Sequence, residues 1–280
     1  MPKMAQGENM KKISVMVYVM LALSILLLSS CNKAKPEVEE PIPEVSVLAQ
    51  DLLANMIQID TAIATHIEAW EGKITSQEDI RVLLAEAQKA HPAVLTSCYV
   101  DTKGILKYLE PAAYKDSEGA DISKQAHTIA MLQNPTPMIS TAFKAVEGFA
   151  TVAMGRPLYD AKEKFAGSLV LTIDTSRLPQ AVLQKNEVAS GYELWAMEPD
   201  GMIVCDHDKD EIGLNLFTDP MYLEHESLQN FGKLVIASPK GEGEYRFKAA
   251  GSEEVVTKKA YWDTINIHGR DWRVVLAQKG

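Results

Sequence analysis

Twice in this chain an apolar strand runs into an acidic residue, a glycine-centred turn and a second apolar strand. The two phrases are YVDTKGIL at 99–106 and AMEPDGMI at 196–203. Each is followed by a second glycine within a short polar–apolar segment, EGADIS at 118–123 and IGLNLF at 212–217. The turn glycines Gly104 and Gly201 stand 97 residues apart. Self-similarity at that spacing implies two copies of one small α/β unit.

The first thirty residues carry a different signal. Met10-Lys11-Lys12 is a basic start, Ile13 to Leu28 is a sixteen-residue run almost free of polar groups, and Leu28-Ser29-Ser30-Cys31 sets small residues before a cysteine. As a helix, that run would reach only about 24 Å, short of the ~30 Å hydrocarbon core. Residues 1–30 therefore read as a signal peptide. The L-S-S-C string resembles the lipobox of prokaryotic lipoproteins, which implies lipid attachment at Cys31. An uncleaved anchor with an incidental cysteine is the alternative. Without residues 1–30 the chain keeps 25 basic and 37 acidic residues, a net of −12. A surface of that sign repels nucleic acid and anionic headgroups.

Residues 31–44, proline-rich and acidic, read as a tether. Beyond them Leu48, Leu52, Met56, Ile59, Ile63, Ile67 and Trp70 recur at steps of three and four, one stripe of a helix ending near Gly72. Ser76 with Asp79 can cap a second helix that stops before Pro92. Strands are expected at 93–100 and 105–109, a helix at 121–132, and strands at 138–145, 149–154 and 165–174. A connecting helix at 177–185 follows. The order then resumes with strands at 192–197 and 202–205, a helical stretch at 221–237, and strands at 244–249, 255–265 and 272–278. This is two five-stranded antiparallel sheets, each expected to carry helices on one face.

At this level the chain resembles a known family. The string WAMEPDGMIVCDHDKDEIGLNLFTDPMY (195–222), with KKAYWDTINIHGRDWRVVL (258–276), looks like the membrane-proximal unit of double Cache sensor domains. YVDTKGILKYLEPAAYKDSEGADIS (99–123), with PMISTAFKAVEGFATVAMGRPLYD (137–160), is similar to the membrane-distal unit. The resemblance covers residues 45–279. It implies an α+β fold of two PAS-like units joined by a long N-terminal helix: a spine at 45–92, a distal unit at 93–185 and a proximal unit at 186–280. It also implies an extracytoplasmic ligand-binding module with its ligand in the distal unit. The family's amino-acid-binding pattern has an R-x-W-Y run after the first helix, but 122–138 here is ISKQAHTIAMLQNPTPM, without arginine or aromatic residue. Only Asp174 matches that pattern's acidic residue.

Candidate ligand contacts are therefore Asp174 for a cationic group, Arg156 for an anionic one, and Tyr159 and His127 as further polar groups of a helix–sheet pocket. The acidic run Asp206, Asp208, Asp210 and Glu211 opens like an EF-hand loop, but Glu211 and Phe217 occupy the sixth and twelfth positions, where glycine and glutamate are needed. It reads as a solvated turn, and no metal or other cofactor is expected. Cys98 and Cys205 read as buried free thiols. Tyr261, Trp262 and Trp272 read as core. No G-x-S-x-G or phosphate loop occurs, so an envelope hydrolase is a remote alternative. The expected function is a lipid-anchored extracytoplasmic sensor of a small organic molecule. With the chain ending at Gly280, the receiver would be a separate membrane receptor, kinase or transporter. The alternative is an accessory or scaffold module of an envelope complex.

Overall fold

The computed structural model describes residues 44–70, 76–248 and 252–278, within one compact unit. The lipobox cysteine, the signal peptide, the tether up to residue 43 and the stop at Gly72 lie outside the described residues. Helix α1 (Val45–Trp70) spans 26 residues, or about 39 Å. Its apolar stripe is buried as the spacing predicts, with Leu52, Met56, Ile59 and Ile63 fully enclosed. Helix α2 (Gln77–Gln88) opens with the Ser76/Asp79 capping box.

The first sheet comprises β1 (Val94–Val100), β2 (Leu106–Glu110), β3 (Met138–Ile139), β4 (Phe143–Lys144), β5 (Ala150–Tyr159) and β6 (Phe165–Ile173), ordered β2-β1-β6-β5-β3 with β4 also on β5. Helix α3 (Ala126–Gln133) lies between β2 and β3, and α4 (Arg177–Lys185) leads out of the sheet. The second sheet is β7 (Tyr192–Met197), β8 (Ile203–Cys205), β9 (Gly241–Lys248), β10 (Val255–Ile267) and β11 (Arg270–Gln278), ordered β8-β7-β11-β10-β9. Helices α5 (Pro220–Leu223) and α6 (Glu226–Ala237) precede β9. Numbered within each unit, both sheets run 2-1-5-4-3, and every pairing is antiparallel.

The repeated phrase is a repeated hydrogen-bond pattern. Leu106 N–H donates to Ala120, Gly119 N–H returns to Leu106, and Ile122 N–H donates to the Gly104 carbonyl. In the second copy Ile203 donates to Leu214, Gly213 to Ile203, and Leu216 to Gly201. Gly104 and Gly201 hold φ of +79° and +91°, a region that side chains with a Cβ disfavour.

Helices cover both faces of each sheet, which corrects the expectation of one covered face. Strand residues alternate sides. Val274 and Leu276 of β11 join Leu194 and Ala196 of β7 against α1, while Val275, Ala277, Trp195 and Met197 pack under α6. The nearly unbroken apolar runs of β6 and β11 are the sequence trace of this double cover. Three other boundaries differ. The helix expected from residue 121 starts at Ala126, because Ile122 is held by the Gly104 turn. The strand expected at 138–145 is split into β3 and β4, and the 221–237 helix into α5 and α6. Cys98 and Cys205 are free, buried thiols. Trp262 and Trp272 are core, and Tyr261 is half-buried against it.

Candidate functional site

The four distal candidates do not converge. Strand alternation turns Arg156 to the spine face of β5, where its Nε and Nη2 donate to the two Asp60 oxygens of α1 at 2.9 and 2.7 Å. His268 of the β10–β11 turn approaches the same carboxylate at 3.1 Å. Tyr159 is 46% exposed and donates its hydroxyl to the Pro135 carbonyl. His127 lies toward the opposite face, its ring 4.5 Å from that of Phe143, and burial drives its pKa down to about 4. The space beside it, lined by Cys98, Phe143, Glu147 and Val170, measures about 20 Å³. That is room for about one water molecule.

Asp174 stands just beyond β6. Its carboxylate accepts from the Ser176 hydroxyl, from Arg177 Nε at 3.1 Å and from Lys209 Nζ at 3.0 Å. Burial works to raise its pKa, but Ser176 and the two cations outweigh that and hold it below the usual carboxylate range. Asp174 lines a cleft of about 600 Å³ with Lys209, Phe149 and Leu214, yet its charge is already matched.

A different site forms beneath α6 in the second unit. Residues of β7, β9 and β10 on one sheet face, with β8 and α5, enclose a cavity of about 260 Å³. Its apolar wall includes Trp195, Ile203, Leu216, Leu228 and the rings of Tyr222, Tyr245 and Phe247. The same alternation that points Trp195 inward also points Glu193 inward, and the face bearing Ala260 and Trp262 also bears Lys258. Lys258 Nζ lies 2.6 Å from Glu193 Oε2, both side chains being at most 9% exposed. Glu193 Oε1 is buried without a hydrogen-bond partner.

The acidic run completes this wall, which corrects its reading as a solvated turn. Asp206 is buried, its Oδ1 accepting from the Asp208 amide and lying 2.9 Å from His207 Nδ1. That hydrogen bond raises the His207 pKa. Glu211 receives the Tyr222 hydroxyl at 2.6 Å. Burial, together with the charges of Asp206 and Asp208, pushes the Glu211 carboxyl up to about 7. The turn folds inward because α5, started by Pro220 and capped by Asp219, places Tyr222 over it. Among the described residues no three His, Cys, Asp or Glu side chains are grouped so as to hold a metal ion. Glu193, Lys258, Tyr222, Tyr245 and Phe247 were not singled out from sequence. The available signal was two charged residues at inward positions of otherwise apolar strands.

With this geometry in place, comparison with known proteins is informative. Residues 54–175 match the model of the HK/GC/chemotaxis protein-like sensor domain family. A search of curated proteins finds no significant match. An extracellular ligand-binding receptor from Desulfohalobium retbaense superposes with a TM-score of 0.66 at 22% identity, covering 84% of this chain and 39% of that one. The chain thus spans about two fifths of that receptor's length. The extracellular domain of a putative histidine kinase gives 0.61 at 15% identity, with 84% and 90% covered. The ligand-binding domain of the Pseudomonas aeruginosa amino acid chemoreceptor PctC, in complex with GABA, gives 0.56 at 14% identity, with 84% and 96% covered. The matched segment and the shared two-sheet architecture identify the chain as a sensor domain of the double Cache, PAS-like class.

Proposed function

We propose that this chain is an extracytoplasmic small-molecule sensing module, held to the membrane by lipid at Cys31 through the tether at 31–44. On this reading it reports ligand occupancy to a separate membrane receptor, kinase or transporter. The spine at 45–92 connects a distal unit at 93–185 with a proximal unit at 186–280. No catalytic role is assigned. Among the described residues no helix is long and apolar enough to cross a membrane, so the anchor falls to the N-terminal segment in this reading.

One observation carries the ligand assignment: the enclosed 260 Å³ cavity of the second unit, with aromatic walls and a few convergent polar groups. We therefore place the ligand there rather than at Asp174, Arg156, Tyr159 and His127. A thermal-shift screen of metabolites on the full chain tests it. A ligand at a hundred times its Kd stabilises by about 2.7 kcal/mol. Met221 lies at the cavity and is 40% exposed, so Met221→Trp obstructs the cavity with little burden on the fold. Hits lost in Met221→Trp support the assignment. Hits retained there but lost in Asp174→Asn return the ligand to the first unit. A complete absence of hits favours the accessory or scaffold reading. Cys31→Ser, expected to release the protein from membranes, checks the anchor by fractionation.

A further inference from the structure

We propose that the cavity under α6 is a receptor for a small organic ammonium ion, an alkylamine or quaternary amine; this rests on the placement of the ligand in the second unit. The first ground is an imbalance of charge in a confined space. Five carboxyl groups line the cavity against two lysines and one histidine, and all three of those cations already have carboxylate partners. No lining cation among the described residues is left to receive a ligand carboxylate or phosphate. The carboxyl side, by contrast, has a vacancy: Glu193 is nine-tenths buried, faces the cavity, and keeps Oε1 without a hydrogen-bond donor. A buried acceptor left unmatched is costly, and an incoming N–H or a close cationic methyl group relieves it.

The second ground is the wall. Trp195, Tyr222, Tyr245 and Phe247 surround the same space, and aromatic faces attract cations through their quadrupoles. Lys258 Nζ already sits 5.9 Å from the Phe247 centroid, so this ring is positioned to interact with positive charge. A hard divalent ion is a poor alternative, since it requires six or more oxygen ligands and gains little from aromatic rings. At about 260 Å³ the cavity falls below the ~300 Å³ at which pockets for drug-sized ligands begin, which limits the occupant to a few heavy atoms.

Isothermal titration calorimetry on the full chain at pH 8 tests the proposal with four probes: choline, n-butylammonium, 3,3-dimethylbutanol as the neutral counterpart of choline, and butyrate. At least one ammonium probe should bind, with the neutral counterpart at least tenfold weaker and butyrate undetectable. Glu211→Gln should weaken the ammonium probe at least tenfold while the unliganded melting temperature stays level or rises. Asp208→Asn, an exposed change, supplies a second charge-removing variant should Glu211→Gln fold poorly. Met221→Trp should abolish the signal. Equal binding of the neutral alcohol, or preference for butyrate, overturns the ammonium assignment while leaving the cavity as the ligand site. Ammonium binding that survives Met221→Trp overturns it as well. If no probe of any charge binds, while the metabolite screen yields hits blocked by Met221→Trp, the ammonium class alone is wrong. If that screen is also empty, the placement of a ligand in this unit fails too.

Discussion

The two units share strand order, turn geometry and even the reciprocal hydrogen bonds around Leu106 and Ile203, yet beneath their second faces they diverge. In the first unit His127 and Phe143 press onto Cys98 and Val170 and leave about 20 Å³. In the second, α6 and the long β9 and β10 stand over charged residues and leave about 260 Å³. Duplication has preserved the backbone frame while the side chains under it have gone separate ways. The frame is fixed by glycine turns and period-two burial, which tolerate little change. The occupant of the space beneath depends on a handful of side chains.

Four experiments probe how far this contrast extends, beginning with the largest effect. Trp272 is fully buried on the spine face of the second sheet, within the core that α1 shares with both sheets. Trp272→Ala should cost about 3–5 kcal/mol. Because that core is continuous, urea transitions followed by hydrogen exchange in β1 and in β11 should shift together. Separate shifts would mean that the units are energetically independent.

The second experiment uses opposite pH slopes. Folding lowers the His127 pKa from 6.5 to about 4, so the unfolded chain takes up this proton first. Stability from this group is therefore lost as pH falls from about 6.5 toward 4. Folding raises the Glu211 pKa from 4.5 to about 7, so the folded chain takes up that proton first, and stability is lost as pH rises from about 4.5 through 7. His207, raised by Asp206, adds to the loss on the alkaline side. Each of the two numbered shifts corresponds to about 2–3 kcal/mol. His127→Phe should flatten the acid limb of a melting-temperature profile, and Glu211→Gln the alkaline limb. A variant that altered the other limb would break the assignment of each slope to its unit.

Third, Gly104→Ala and Gly201→Ala should each cost about 1–3 kcal/mol, from positive φ and from a Cβ that would lie 2.7 Å from Ser123 Cα or 2.4 Å from Phe217. Chemical denaturation reads both, and a marked inequality would show that the two turns are not equivalent supports. Last, Tyr159→Phe should alter stability by less than about 0.5 kcal/mol and leave every ligand affinity unchanged, since its hydroxyl serves only an exposed carbonyl contact. A loss of calorimetric ligand binding in that variant would restore the first unit as a ligand site.

Much of the frame was legible from the chain. The stripe from Leu48 to Ile67 gave the spine, the Ser76/Asp79 pair gave a helix start, and the repeated phrase gave two matched hairpins, because each depends on neighbours within a few residues. The cavity was not legible for the opposite reason. Glu193 and Lys258 are 65 positions apart, and Tyr222 meets Glu211 only once α5 has turned back over the loop. Spacing alone made Asp206–Glu211 a failed calcium loop. Tertiary packing instead makes it one side of a buried charge cluster. For Arg156 the error was one of direction: residue type suggested a ligand clamp, but its place in the alternation of β5 aims it at Asp60.

Asp60 sits near the middle of α1 and holds Arg156 from the first sheet on one oxygen pair while His268 reaches it from the second. The spine is thereby pinned at a single carboxylate to both units. A sheet that shifts when its cavity fills cannot slide freely along the helix without parting these charges. It must pivot about Asp60, so the helix acts as a lever whose fulcrum is this carboxylate and whose first turn lies nearest the N-terminal segment.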